Sequence, residues 1–195
     1  MVQSRKQSQI VENRSYSRLL SEEGGGQQRR DNASYAMRKV IIVGDSGVGK
    51  TAIISRFVNG KMPGSGRSTM GATEKLKSIH FANSNKKLPL QIWDIPGADK
   101  FRTLSSIYFR DADAAILVCD ATNKESFNNL KVAWLCELTA IAPETMLKVL
   151  VANKADLLDE HASTDSVGQC VTDKMLREFA VTKKAEFFKV SAKKN

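Results

Sequence analysis

One octapeptide limits what this chain can fold into more than any other feature. Gly44-Asp45-Ser46-Gly47-Val48-Gly49-Lys50-Thr51 fits the pattern G-x-x-x-x-G-K-[ST]. A β-branched run, Lys39-Val40-Ile41-Ile42-Val43, precedes it and reads as a buried strand. Residues 51–59 follow as a helix, with Ile53, Ile54, Phe57 and Val58 as its apolar face. Strand, glycine-rich loop and helix in that order make a phosphate-binding loop. Glycine lets successive backbone N–H groups turn inward and ring an anion. The helix N-terminus adds its positive dipole. Lys50 reaches β- and γ-phosphates, and the Thr51 hydroxyl serves Mg²⁺.

The rest of the chain alternates strand and helix. Leu76, Ile79 and Phe81, then Leu88, Leu90 and Ile92, mark two strands, and Asn83-Ser84-Asn85 between them argues a hairpin. Residues 114–119 and 147–152 read as central strands. Residues 126–142 read as a helix with Phe127, Leu130, Trp134 and Leu138 at helical spacing, so Trp134 is assigned to packing. Residues 172–184 form a last helix, and 186–190 a last strand. The expectation is an α/β fold with a six-stranded, mostly parallel sheet and one antiparallel edge strand.

Two further segments carry chemistry. Asp94-Ile95-Pro96-Gly97 ends the third strand: a carboxylate there can hold Mg²⁺ through water, and Gly97 can bring its N–H against a γ-phosphate. Asn153-Lys154-Ala155-Asp156 ends the fifth strand. The Asp156 carboxylate can accept from both N1–H and the 2-amino group of guanine, and adenine offers neither. Two charge-assisted hydrogen bonds separate the bases by at least about a hundredfold in affinity. The Lys154 stem can lie along the base. In Ser191-Ala192-Lys193 the Ala192 N–H can donate to guanine O6.

Taken in order, these segments make residues 38–195 resemble a small GTPase of the Ras superfamily, of the Rab branch. The phosphate loop, Leu90-Gln91-Ile92-Trp93-Asp94, Phe101-Arg102-Thr103-Leu104, Tyr108-Phe109-Arg110-Asp111-Ala112 and Glu125-Ser126-Phe127-Asn128-Asn129 carry the resemblance. It implies the fold of a P-loop NTPase small G domain that binds GTP or GDP with Mg²⁺ and acts as a switch in membrane traffic. Nucleotide contacts are then expected from Asp45, Ser46, Gly47, Val48, Gly49, Lys50, Thr51 and Ala52, from Asn153, Lys154 and Asp156, and from Ser191, Ala192 and Lys193. Thr51, Thr69 and Asp94 are the metal candidates, and Lys50, Thr69 and Gly97 the catalytic ones. Thr69 would be the switch threonine, touching Mg²⁺ and γ-phosphate only in the GTP state. Effectors, an exchange factor and a GAP would bind a monomer through residues 60–74 and 94–109.

Departures from the family pattern shape a finer expectation. Ala98 stands where the family places a water-orienting glutamine, so hydrolysis is expected to be slow. Met62 replaces an aromatic that stacks on guanine, and Gly66 a switch tyrosine. Of an aromatic effector cluster only Trp93 clearly remains. The family's final helix and lipidated cysteines have no counterpart before Asn195, so a C-terminally truncated domain, marginal in stability and without its own lipid anchor, is expected. The alternative is a degenerate GTPase-like interaction module with little turnover. A third reading, an ATP-dependent enzyme, is opposed by Asp156.

Composition narrows the setting. Thirty Lys and Arg against 21 Asp and Glu give a net charge of +9 in 195 residues. No nucleic-acid-binding module accompanies that charge, so nucleic acid is not an expected partner. No apolar run is long enough to span a membrane, and no secretory leader is visible. Cys119, Cys136 and Cys170 lack metal or redox spacing; Cys119 and Cys136 are expected to be buried apolar residues of a protein in a reducing compartment. A cytoplasmic location is expected from this, and the resemblance implies a peripheral place on endomembranes through partners. His80 and His161 have no ligand partners at suitable spacing. Residues 1–37, rich in Ser, Gln and Arg, are expected to be a disordered polar extension of the domain at 38–195.

Overall fold

β-Branched and aliphatic runs become the strands of a single sheet in the computed structural model, which describes residues 35–64, 69–81, 86–98, 106–158 and 167–194. The strands are β1 (Arg38–Val43), β2 (Thr73–His80), β3 (Lys87–Asp94), β4 (Ala114–Asp120), β5 (Leu147–Asn153) and β6 (Glu186–Lys189). Their order is β2-β3-β1-β4-β5-β6. Only β2 and β3 run antiparallel; β1 pairs with β3 and β4, β4 with β5, and β5 with β6, all in parallel. The expected hairpin is therefore the antiparallel edge, although its tip at 82–85 lies outside the described residues.

The helices are α1 (Lys50–Asn59), α2 (Lys124–Asn129), α3 (Leu135–Ile141) and α4 (Asp173–Lys183). A π-helical turn, Leu130–Trp134, joins α2 to α3. The sequence predicts one uninterrupted helix here; the structure keeps its continuity but inserts a widened turn. A π turn absorbs one more residue than an α turn. Leu130, Trp134 and Leu138, four positions apart, are all fully buried along it. Val132, in the turn, is 76% exposed. Residues 106–109 form a short helical turn that the periodicity does not foretell.

The period-two pattern of the strands splits the core into two clusters. On one face Ile41, Val43, Leu117, Cys119, Leu150 and Ala152 pack against Phe127, Trp134, Leu138, Leu176 and Phe179 from the helices. On the other, Val40, Ile42, Ile92, Val118 and Val151 pack with Ile54 of α1. Among the described residues this second face is the less covered: Ala114, Ile116 and Val149 stay partly exposed, and Phe188 is exposed. Phe57 corrects the expected apolar face of α1. It is 45% exposed, with the Lys77 ammonium 6.0 Å from its ring centre.

The chain divides into two units, residues 1–33 and 34–195, and the first lies outside the described residues. Within the second, the described contacts include Tyr35, three residues before the expected boundary. Tyr35 N–H donates to Lys87 O at 3.3 Å, and its ring meets Phe81 edge-on at 6.0 Å. Cys119 is buried as expected, whereas Cys136 is exposed on α3, where the helix turns outward. No helix among the described residues is long and apolar enough to cross a membrane.

Candidate nucleotide and metal site

The loop after β1 is built around Lys50. Its side chain is almost fully buried, and Nζ donates to Gly44 O at 2.7 Å and Asp45 O at 2.8 Å. The ammonium is thus held under the arch of its own loop. Burial pulls its pKa down to about 8, against the pull of Asp94 and Asp45 in the other direction. Ser46 and Gly47 stand exposed at the crest, and Val48 anchors the far side in the core. Gly49 begins α1 at φ 97°, a conformation L-residues avoid, and a Cβ there would lie 2.2 Å from Asn153 Nδ2. Ala52 is partly buried in the first turn of α1.

Three oxygen donors converge at the start of that helix. Thr51 Oγ1 donates to Asp94 Oδ2 at 2.5 Å and lies 2.9 Å from Thr69 Oγ1. The remaining Asp94 oxygen, Oδ1, is buried without a hydrogen-bond partner. An orphaned carboxylate oxygen at that depth is costly unless a cation or its water claims it. Burial raises the Asp94 pKa, with the Thr51 hydrogen bond and then Lys50 and Lys75 opposing. Hydroxyl and carboxylate oxygens are the ligands a hard divalent cation takes, and Mg²⁺ uses few of them because it keeps most of its waters. Thr51, Thr69 and Asp94 could therefore hold Mg²⁺. Among the described residues no group of three or more His, Cys, Asp or Glu is placed to hold a metal ion.

Gly97 closes over the loop. A Cβ on it would come within 2.4 Å of Asp45 C and Ser46 N, so only glycine allows this approach. Ile95, fully buried, and Pro96 pin the segment to the core, and Ile95 N–H extends the pairing by donating to Ile42 O at 3.3 Å. The neighbouring residues 99–105 and 65–68 lie outside the described set, and with them Gly66.

The base-side residues form a second cluster. Asn153 is a buried strut: Nδ2 donates to Val48 O at 2.9 Å, and Oδ1 accepts from Ala192 N–H at 3.1 Å. It ties the phosphate loop to the Ser191–Lys193 turn. This modifies the expectation for Ala192, whose N–H goes to Asn153 rather than pointing free toward guanine O6. Lys154 takes a left-handed backbone, φ 64°, and its ammonium pairs with Asp120 Oδ2 at 2.6 Å. Asp156 is partly exposed. The Ser191 hydroxyl, above all, holds its pKa below the ordinary carboxylate range, with Lys193 and Lys194 adding to it. It is therefore a charged acceptor facing outward between Asn153 and the Ser191 turn.

Two participants escape the motif reading. Arg56, on α1, donates through Nε to Ala192 O at 3.0 Å and through NH2 to Lys193 O at 3.1 Å. Its NH1 reaches Gly60 O at 2.9 Å, so one guanidinium fixes the end of α1 to the base-side turn. Asp120 is the second: it ends β4 beside Asn153 and receives Lys154. An arginine on an amphipathic helix gives no local signal of such a role. Asp120 could have been found as an acid closing a buried strand next to Asn153-Lys154-Ala155-Asp156. Trp134 is buried as expected, yet its indole N–H also reaches Asp45 at 2.8 Å.

Known proteins resemble this chain in sequence. The Ras family model matches residues 39–195. The Ras-related protein RIC1 of Oryza sativa subsp. japonica is 39% identical over 137 residues, 70% of this chain and 66% of that protein. The GTP-binding protein YPT1 of Saccharomyces cerevisiae is 38% identical over 154 residues, 79% of this chain and 69% of that protein. The Ras-related protein Rab-1D of Dictyostelium discoideum is 37% identical over 155 residues, 80% and 71% respectively. The chain thus spans about two thirds of the length of these relatives. With the phosphate loop, the threonine–aspartate oxygen cluster and the two base-side segments in place, this chain belongs to the Ras family of small GTPases, on its Rab-like side.

Proposed function

We propose that this chain is a guanine-nucleotide switch that hydrolyses GTP slowly and works in vesicle traffic. The observation that carries the reading is the convergence of Thr51, Thr69 and Asp94 beside Lys50, with one Asp94 oxygen buried and unclaimed. Mg²⁺, when bound, would neutralise charge on the β- and γ-phosphates. The chain's own groups do the rest. Backbone N–H groups of residues 45–52 gather the phosphates, and Lys50 stabilises charge at the β/γ bridge. The Gly97 N–H and Thr69 sense the γ-phosphate, so loss of that group releases the segments that carry them. Asp156 selects guanine by accepting from its two donors, while Asn153, Lys154 and the Ser191-Ala192-Lys193 turn shape the base side. The yeast and Dictyostelium relatives, a GTP-binding protein and a Rab by name, support both the ligand and the pathway class.

Slow hydrolysis rests on Ala98. After Asp94 the chain reads Ile95-Pro96-Gly97-Ala98, and none of these side chains can hydrogen-bond a water. Positioning of the attacking water is then left to backbone groups. The same observation favours the second reading, an interaction module with little turnover. Effector, exchange-factor and GAP contacts are assigned to residues 60–74 and 94–109, where Met62, Met70 and Ile107 stand exposed. The chain would act as a monomer in the cytoplasm, reaching endomembranes through those partners.

The test is to purify the chain, denature it and identify released nucleotide by ion-exchange chromatography. Stoichiometric GTP is the expected result. Mostly GDP would overturn slow hydrolysis. Absence of nucleotide from folded protein would overturn the switch in favour of the module.

A further inference from the structure

The phosphate loop contains a carboxylate of its own. Asp45 is its second residue, and a negative charge there opposes the phosphates that the surrounding N–H groups would gather. The structure turns this charge aside. Asn129 Nδ2 donates to Asp45 Oδ2 at 2.8 Å, and Trp134 Nε1 donates to Oδ1 at 2.8 Å. Both carboxylate oxygens are engaged, from residues far along the chain. Asn129 ends α2 and Trp134, fully buried, ends the π turn, so the two donors stand on one continuous helical segment anchored in the core. The donors are neutral, so the charge is relocated rather than cancelled, and where it sits matters.

The backbone of Asp45 is also where the site's parts meet. Its carbonyl accepts Lys50 Nζ, and Gly97 lies against its carbonyl carbon. Released from its two donors, the carboxylate would be free to turn about its side-chain bonds and bring its charge toward these contacts. We propose that Asn129 and Trp134 are positioning residues for nucleotide retention, holding the Asp45 carboxylate outside the phosphate nest. The role rests on the nucleotide-binding reading above; the hold on the carboxylate does not.

The experiment is a double-mutant cycle on the 195-residue chain, read by release of a fluorescent GDP analogue (mantGDP) in Mg²⁺. Trp134→Phe keeps an aromatic side chain, though a smaller one, and removes the donor. Release is expected to quicken about tenfold, the scale set by leaving a charged acceptor unpaired. In an Asp45→Ala background the same Trp134→Phe change is expected to alter release less than about twofold, because the charge it restrained is gone. Equal acceleration in both backgrounds would reduce Trp134 to packing and overturn the proposal, as would no acceleration in either. If Trp134→Phe fails to fold, Asn129→Ala, at a partly exposed position, runs the same cycle.

A second readout needs no nucleotide. The chain has two tryptophans, so Trp134→Phe assigns the indole N–H resonances. The Trp134 signal is expected to move in Asp45→Ala while the Trp93 signal stays. An unmoved Trp134 signal would overturn the hold. If wild-type protein retains no mantGDP, the nucleotide reading and the positioning role fall together, and a moving indole signal would still establish the contact itself.

Discussion

Asp94 concentrates the chemistry of the site in one side chain: one oxygen takes the Thr51 hydroxyl, and the other is buried and unpaired. Asp94→Asn keeps an acceptor for Thr51 but puts an NH₂ or a neutral oxygen where a cation would sit. Wild-type protein is expected to release mantGDP at least about tenfold faster when EDTA removes Mg²⁺. The Asn variant is expected to release quickly in Mg²⁺ and to respond little to EDTA. A variant with full EDTA sensitivity would take Asp94 out of the metal site. Residues of this kind are legible in a sequence because loop chemistry leaves fixed spacings; Lys50, Thr51 and Asp94 are announced by their motifs. Trp134 is announced only as core, because helical spacing reports burial and says nothing of where an indole N–H ends up. Asn153 and Ala192 sit within recognised motifs, yet their bond to each other needed the strands to be placed side by side.

The helices hold the two halves of the site at fixed separation. Helix α1 begins under the phosphate loop and near its end carries Arg56, whose guanidinium bonds to Ala192, Lys193 and Gly60 carbonyls. Arg56→Ala is expected to weaken GDP binding about fivefold to tenfold by loosening the base-side turn. Arg56→Lys is not expected to restore it, since one ammonium cannot reach three carbonyls in a fixed fork. Full GDP affinity in the Ala variant, by titration calorimetry, would contradict the role. The π turn makes a different prediction. It exists to absorb one residue, so deleting the exposed Val132 should convert it to an α turn with Leu130 and the tryptophan still sharing a face. The melting temperature is expected to stay within about 4 °C, the shift that 1 kcal/mol brings to a domain of this size. A much larger fall would mean that the widened turn itself is required. Periodicity gave the helix and its buried positions here but not the turn, because residues three and four apart share a face in an α-helix too. The hairpin, the central strands and the order of motifs were all readable, whereas the helical turn at 106–109 was not, being too short to show a period.

At the scale of the molecule, the site follows from the sheet. In the order β2-β3-β1-β4-β5-β6 the chain leaves β1 toward one edge and later crosses to the other, which opens a crevice at the carboxyl ends of the strands. The phosphate loop leaves β1, Asp94 ends β3, Asp120 ends β4 and Asn153 ends β5, so all four face that crevice. Strand order cannot be read from any one segment, although parallel pairing of βα units restricts it strongly. What the assembled crevice should recognise is a guanine base above a Mg²⁺-bound phosphate chain. Displacement of mantGDP from the whole chain by GTP and by ATP, in Mg²⁺, tests this directly. The predicted result is that GTP displaces at a concentration at least about a hundredfold below that of ATP, the loss expected when Asp156 has no donors to accept from. Equal potency of the two nucleotides would contradict it.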